Sequence, residues 1–336
     1  MKANYRFALF AVAIPLLLSR CGGSGKQEEV TLRIDGSSTV YPISEAVAEE
    51  YQKEHKGVRI TIGVSGTGGG FKKFCNGEIH VANASRPVTP HEVTHCTGNN
   101  VRFVELPVAY DGLAVVVHPD NTWVDHLTLS ELRRIWESAA QGKITNWNQV
   151  RPTFPDQKLQ LFGPGTDSGT FEYFTEAVNG ERGNSRGDYT ASEDDNVLVQ
   201  GVNSNIGALG YFGIAYYLEN QDKLKLVAID DENDANGSGA VLPSEQTVQE
   251  GTYGVLARAL YIYVRQDESA PAELDGFVRY YLDHVSDLAR ETGYIPLQAD
   301  LLSMVRQRWE NRVTGTMYPD GKEVGTVLKE KLQKGS

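Results

Sequence analysis

Leu159-Gln160-Leu161-Phe162 followed by Gly163-Pro164-Gly165-Thr166-Asp167-Ser168-Gly169-Thr170 is a β-rich run that ends in small residues and then opens a helix. Upstream the same design occurs twice more. Val30-Thr31-Leu32-Arg33-Ile34 runs into Asp35-Gly36-Ser37-Ser38-Thr39-Val40, and Val58-Arg59-Ile60-Thr61-Ile62 runs into Gly63-Val64-Ser65-Gly66-Thr67-Gly68-Gly69-Gly70. A helix start leaves backbone N–H groups unpaired and carries the positive end of the helix dipole, which favours an anion. Glycine lets the backbone come close, and Ser or Thr hydroxyls add donors without bulk. Three such loops predict a pocket that wraps a small oxyanion from several sides.

Outward from these loops, strand and helix patterns alternate, which predicts an α/β fold with largely parallel sheets. The first helix is expected from Tyr41-Pro42, with Ile43, Val47 and Tyr51 on its buried face and Lys53 to Gly57 marking its end. A second is expected after the triple glycine, at Phe71. A third follows Ser168, burying Phe171, Phe174 and Val178. Two apolar runs, Val104–Val117 and Leu260–Val264, read as crossings between two domains. At 336 residues the chain is long enough for two cores. The expected division is 30–108 plus 260–325 for the first domain and 109–259 for the second. The first two loops then belong to one domain and the third to the other, so a ligand held between them couples binding to closure.

The ends and the charge bound the function. Met1 to Arg6 is basic, and Phe7 to Leu18 is apolar throughout, broken by Pro15. That stretch is too short to span a bilayer and suits an export signal over residues 1–21. Leu18-Ser19-Arg20-Cys21 resembles a bacterial lipoprotein processing site, with Cys21 the lipidated residue and 22–29 a Gly/Ser-containing tether. Arg20 departs from the small residue usual before that cysteine. The expected location is the periplasm or the outer face of the cytoplasmic membrane. Removing Lys2, Arg6 and Arg20 with the leader lowers the net charge of −12 by three, to −15. So acidic a surface argues against nucleic acid or anionic lipid as partner. Cys75 and Cys96 then remain in an oxidising compartment and are expected to pair.

The residues Asp35 to Ile43, Ser65 to Gly70, Ala84-Ser85-Arg86-Pro87, and Gly163 to Phe171 resemble, in order, the motifs of the PstS family. These are the phosphate-binding proteins of bacterial phosphate ABC transporters. Ala191-Ser192-Glu193-Asp194-Asp195-Asn196 extends the likeness to the SphX-like branch, over about residues 29–300. The resemblance implies a type II periplasmic-binding-protein fold, or Venus flytrap, of two α/β domains joined by two crossing strands. It implies inorganic phosphate in the cleft, a membrane permease as partner, a monomer and no cofactor. Carried over by motif, the phosphate contacts are Ser38, Thr39 and the N–H of Val40, then Thr67, then Ser168, Gly169 and Thr170. Where the family has an Asp after Ala-Ser this chain has Arg86, and where it has an Arg before the third loop's Ser this chain has Pro164. Arg86 is therefore expected as the cationic ligand, its guanidinium fork matching phosphate. The proton acceptor is left among Asp111, Asp35 and Asp167, with Asp111 preferred for its place at the crossing. That acceptor decides selectivity, since hydrogen phosphate carries a hydroxyl and sulfate does not.

Rival chemistries fare less well. His91-Glu92-Val93-Thr94-His95 fits the H-E-x-x-H zinc motif, but Thr89-Pro90 and Cys96-Thr97-Gly98 confine it to a short surface helix, with no clear third ligand. The third loop lacks the P-loop lysine, and no G-x-S-x-G occurs. A secreted phosphomonoesterase using Ser168, or a binder of sulfate or molybdate, is the alternative. Trp123, Trp136, Trp147 and Trp309 are expected in packing, and the runs Glu193-Asp194-Asp195 and Asp230-Asp231-Glu232 in solvated loops.

Overall fold

The computed structural model describes residues 1, 29–166, 168–192, 194–234, 239–267, 270–319 and 328–334. Cys21, the leader and most of the tether therefore lie outside the described residues, as do Asp167 and Glu193.

The backbone of the architecture is a curled sheet in two arms that share one long strand, Phe103–Val117. In the first arm Val30–Gly36 lies parallel to Val58–Val64 and to Val81–Ala84, and the strand Ala257–Arg265 then joins antiparallel. In the second arm Ala208–Gly213 runs antiparallel to the shared strand and parallel to Gln160–Gly163. The expectation of largely parallel sheets is thus corrected to a mixed sheet. Parallel βα units build each arm, but the strands that pass between arms return by direct antiparallel pairing and need no crossover helix. All fifteen residues of Phe103–Val117 are buried. That burial on both faces explains its largely apolar reading, broken by Glu105 and Asp111.

The helix Tyr41–Glu54 forms where the sequence places it, with Pro near its start and Ile43, Val47 and Tyr51 buried. It packs on Glu273–Glu291, where the Tyr51 ring meets Phe277 edge-on at 5.4 Å. The second helix differs from expectation: it spans Gly66–Cys75, so the triple glycine lies inside its first turns. The reason is a close backbone approach. A Cβ on Gly70 would stand 2.6 Å from the Gly36 Cα, so the helix can rest on the end of the first strand only without a side chain there. The third helix, Gly169–Asn179, begins after Ser168, whose side chain accepts the Thr170 N–H at 3.1 Å. Trp136, Trp147 and Trp309 are fully buried, Trp136 meeting the Phe174 ring at 5.6 Å and Trp309 lying under the Arg312 guanidinium. Cys75 and Cys96 form a disulfide that ties the end of Gly66–Cys75 to the helix Pro90–Gly98.

Candidate functional site

The first and third loops meet. A Cβ on Gly169 would lie 2.5 Å from Thr39 Oγ1, 3.0 Å from Ser38 Oγ and 3.2 Å from the Thr39 nitrogen. The helix starts at 41 and 169 therefore converge on one point from opposite arms of the sheet. Thr39 and Val40 are buried, while Ser38, Ser168, Gly169 and Thr170 are half-buried. The second loop is anchored behind them: Ser65 N–H donates to the Gly36 carbonyl, and Thr67 Oγ1 accepts the Ser85 N–H at 3.2 Å. Two helix N-termini meeting at one point, with hydroxyls around it, is a geometry that favours an anion.

A cation that the sequence reading passed over completes this point. Arg258 Nη2 donates to Thr39 Oγ1 at 3.0 Å and to Asp111 Oδ2 at 3.2 Å, and Nε reaches the same Asp111 oxygen at 3.3 Å. The pair follows from sheet register, because Arg258 and Asp111 are directly opposed on antiparallel strands. The guanidinium also lies over the Tyr173 ring, 3.9 Å from its centroid. Burial pushes the Asp111 carboxyl above the usual carboxylate range, and the Arg258 charge offsets this only in part. Asp111 and Thr170 line a cleft of about 470 Å³, together with Pro42, Asp195, Tyr216 and Tyr294. A signal is present in the sequence: Arg258 is the one charge in the run Val255–Val264, two residues before the expected crossing Leu260–Val264.

Asp35 and Arg86 sit in tighter local networks. Asp35 accepts from Lys73 Nζ at 2.5 Å and Ser65 Oγ at 2.6 Å. Burial works against its charge, but those bonds outweigh it and hold the carboxyl below its ordinary range. Asp35 therefore joins the second loop to the first strand. Both terminal nitrogens of Arg86 donate to Glu92, at 2.9 and 2.8 Å. The fork expected for the anion is closed on a carboxylate, although Arg86 stays beside the second loop, with Nη2 4.0 Å from where a Gly68 Cβ would be. Glu92 in turn accepts from the Thr89 N–H and hydroxyl, closing a capping box on Pro90–Gly98. The glutamate of the H-E-x-x-H motif is thus bound up in an ion pair and a cap. Among the described residues no group of three or more His, Cys, Asp or Glu is placed to hold a metal ion. No described helix is long and apolar enough to cross a membrane.

Comparison with known proteins places this chain among proteins of known families. The model of the PBP superfamily domain matches residues 22–285. Protein SphX of Synechococcus elongatus is 49% identical over 300 residues, covering 89% of this chain and 87% of that protein. The phosphate-binding protein PstS of Staphylococcus saprophyticus is 35% identical over 302 residues, covering 88% and 91%. The crystal structure of "a possible phosphate binding protein" from Planctomyces limnophilus superposes with a TM-score of 0.78 at 44% identity, covering 84% of this chain and 98% of that one.

Proposed function

The chain belongs to the PBP superfamily and, within it, to the family of SphX and PstS, and from that premise we propose that it captures inorganic phosphate and hands it to an ABC permease. It acts as a binding protein and not as an enzyme, exported and held at the outer face of the membrane through Cys21. The two lobes are residues 30–108 with 260–325, and 109–259, and the protein works as a monomer.

The observation that carries this reading is the meeting of the 41 and 169 helix starts at one buried point that also holds a guanidinium. In this reading Ser38, Thr39, Thr67, Ser168 and Thr170 offer hydroxyls, and Val40, Gly169 and Thr170 offer N–H groups. Arg258 supplies positive charge at the junction of the loops. Arg86 adds charge beside the second loop, as a cation held by Glu92 rather than as a free fork. Asp111 receives the proton of hydrogen phosphate: a carboxylate there accepts a hydroxyl and repels an anion that has none. Closure around the ligand excludes water and strengthens each of these bonds.

Calorimetric titration of ligand-stripped protein with phosphate and sulfate tests the proposal. Tight phosphate binding with negligible sulfate binding is expected, and Asp111→Asn is expected to narrow the discrimination by at least tenfold. Equal binding of both anions by the unaltered protein, or of neither, would overturn it. Hydrolysis of a chromogenic phosphate ester, lost in Ser168→Ala, would replace it with the esterase reading.

A further inference from the structure

Asp111 has a neighbour on each side of its strand. Arg258 faces it from one edge. On the other edge Ile295 pairs with Tyr110 and Pro296 with Ala109, so the next step of that register sets Tyr294 opposite Asp111. Residues directly opposed across a sheet share a face, which puts Arg258, Asp111 and Tyr294 in one row. The turn before Tyr294 fixes its place. The helix Glu273–Glu291 is followed by Gly293, whose φ of 86° suits glycine, and the Tyr294 N–H returns to the Ala289 carbonyl at 2.7 Å. The Tyr294 side chain lines the same cleft as Asp111, Thr170 and Pro42. Burial first, then the Asp111 charge, push its phenol above the ordinary range; Arg258 acts in the other direction, and Tyr216 and Asp195 add to the rise. The group is therefore a neutral O–H donor. Both Arg258 bonds to Asp111 go to Oδ2, which leaves Oδ1 without a hydrogen-bond partner among the described residues, and the Tyr294 hydroxyl likewise has none there.

We propose that Tyr294 is a further phosphate-binding residue, its hydroxyl donating to an unprotonated oxygen of the anion next to the oxygen whose proton Asp111 receives. The inference rests on the phosphate reading above. Hydrogen phosphate presents both kinds of oxygen at once, one that donates and others that only accept. A carboxylate oxygen and a phenol side by side on one sheet face match two such neighbours. The donor meets a charged acceptor, which makes the bond stronger than one between neutral groups. Its backbone is already held by the turn at Gly293 and by the strand that follows, so little freedom is lost on binding.

The test is calorimetric phosphate titration, over a range of pH, of the full protein and of Tyr294 variants. Tyr294→Phe keeps the ring and drops one oxygen, and is expected to weaken phosphate binding about ten- to a hundredfold. Tyrosines of increasing fluorination in place of Tyr294 keep the shape and make the phenol more acidic. Each added fluorine should lower the pH above which phosphate binding falls, because a phenolate repels the anion to which a phenol donates. A merely structural tyrosine would not move that pH, and the series also decides the matter if Tyr294→Phe does not fold. Undiminished affinity in Tyr294→Phe, or a pH profile indifferent to fluorination, overturns the assignment while leaving phosphate binding by the unaltered protein intact. Unaltered protein that ignores phosphate removes the functional reading, and the role of Tyr294 with it.

Discussion

Arg258 and Arg86 show how two like residues acquire different work from their neighbours. Arg86 gives both terminal nitrogens to Glu92, and burial, which opposes the Glu92 charge, is outweighed by Arg86 and the Thr89 donors, so its carboxyl stays below the usual range. Arg258 divides its donors between Asp111 and the buried hydroxyl of Thr39. Arg258→Ala is therefore expected to weaken phosphate binding by about 2–5 kcal/mol, the range for removing one partner of a buried charge pair. Arg86→Ala is expected to cost less, because the anion then loses a charge and not a fork. Calorimetry on the two variants decides the order, and a larger loss for Arg86→Ala would reverse the assignment. The sequence pointed to Arg86 by its place in a motif and to Asp111 by its place at a crossing. It was silent on Arg258, because the partner across a sheet depends on register and not on distance along the chain.

At the scale of elements, the helix Gly66–Cys75 carries the second small-residue loop at one end and a disulfide at the other. The bond joins it to Pro90–Gly98, which bears Glu92 and so holds Arg86. The cysteines are 21 residues apart in the chain, and closing such a loop stabilises the fold by about 3 kcal/mol. The Cys75→Ser/Cys96→Ser double variant should lower the urea midpoint accordingly, and an unchanged midpoint would mean that the unfolded chain is already constrained there. The helices at 41 and 169 were legible from their caps and apolar spacing. The start of the second helix was not, because Gly68–Gly70 read locally as a breaker. They are helical because contact with Gly36 requires a bare backbone, which is a tertiary demand.

For the whole molecule, acid stability turns on His80, which is 5% exposed and ties two parallel strands. Its Nδ1 accepts the Arg33 N–H at 2.9 Å, so the neutral ring is required. Burial, then the charges of Arg33 and Arg265, lower its pKa to about 4, with Asp267 acting in the other direction. The unfolded chain therefore binds a proton that the folded one refuses between about pH 6.5 and 4, and stability falls as the pH falls through that window. The contribution approaches roughly 3 kcal/mol at the lower end. Urea unfolding from pH 7 to 4 should show this slope, and His80→Asn should flatten it. A slope that persists in the variant would assign it to other groups.

The three small-residue loops, the strand–helix alternation and the cysteine pair were all legible in the sequence itself. Each is a local or compositional property: apolar spacing, a cap, a helix start, a pair of cysteines. Only the tertiary structure decided that the sheet is mixed, that the glycines lie within a helix, and that Arg258 rather than Arg86 stands where the first and third loops meet. Those outcomes depend on strand register and on which backbones touch, and contacts between residues 34 to 219 positions apart leave no periodic trace along the chain.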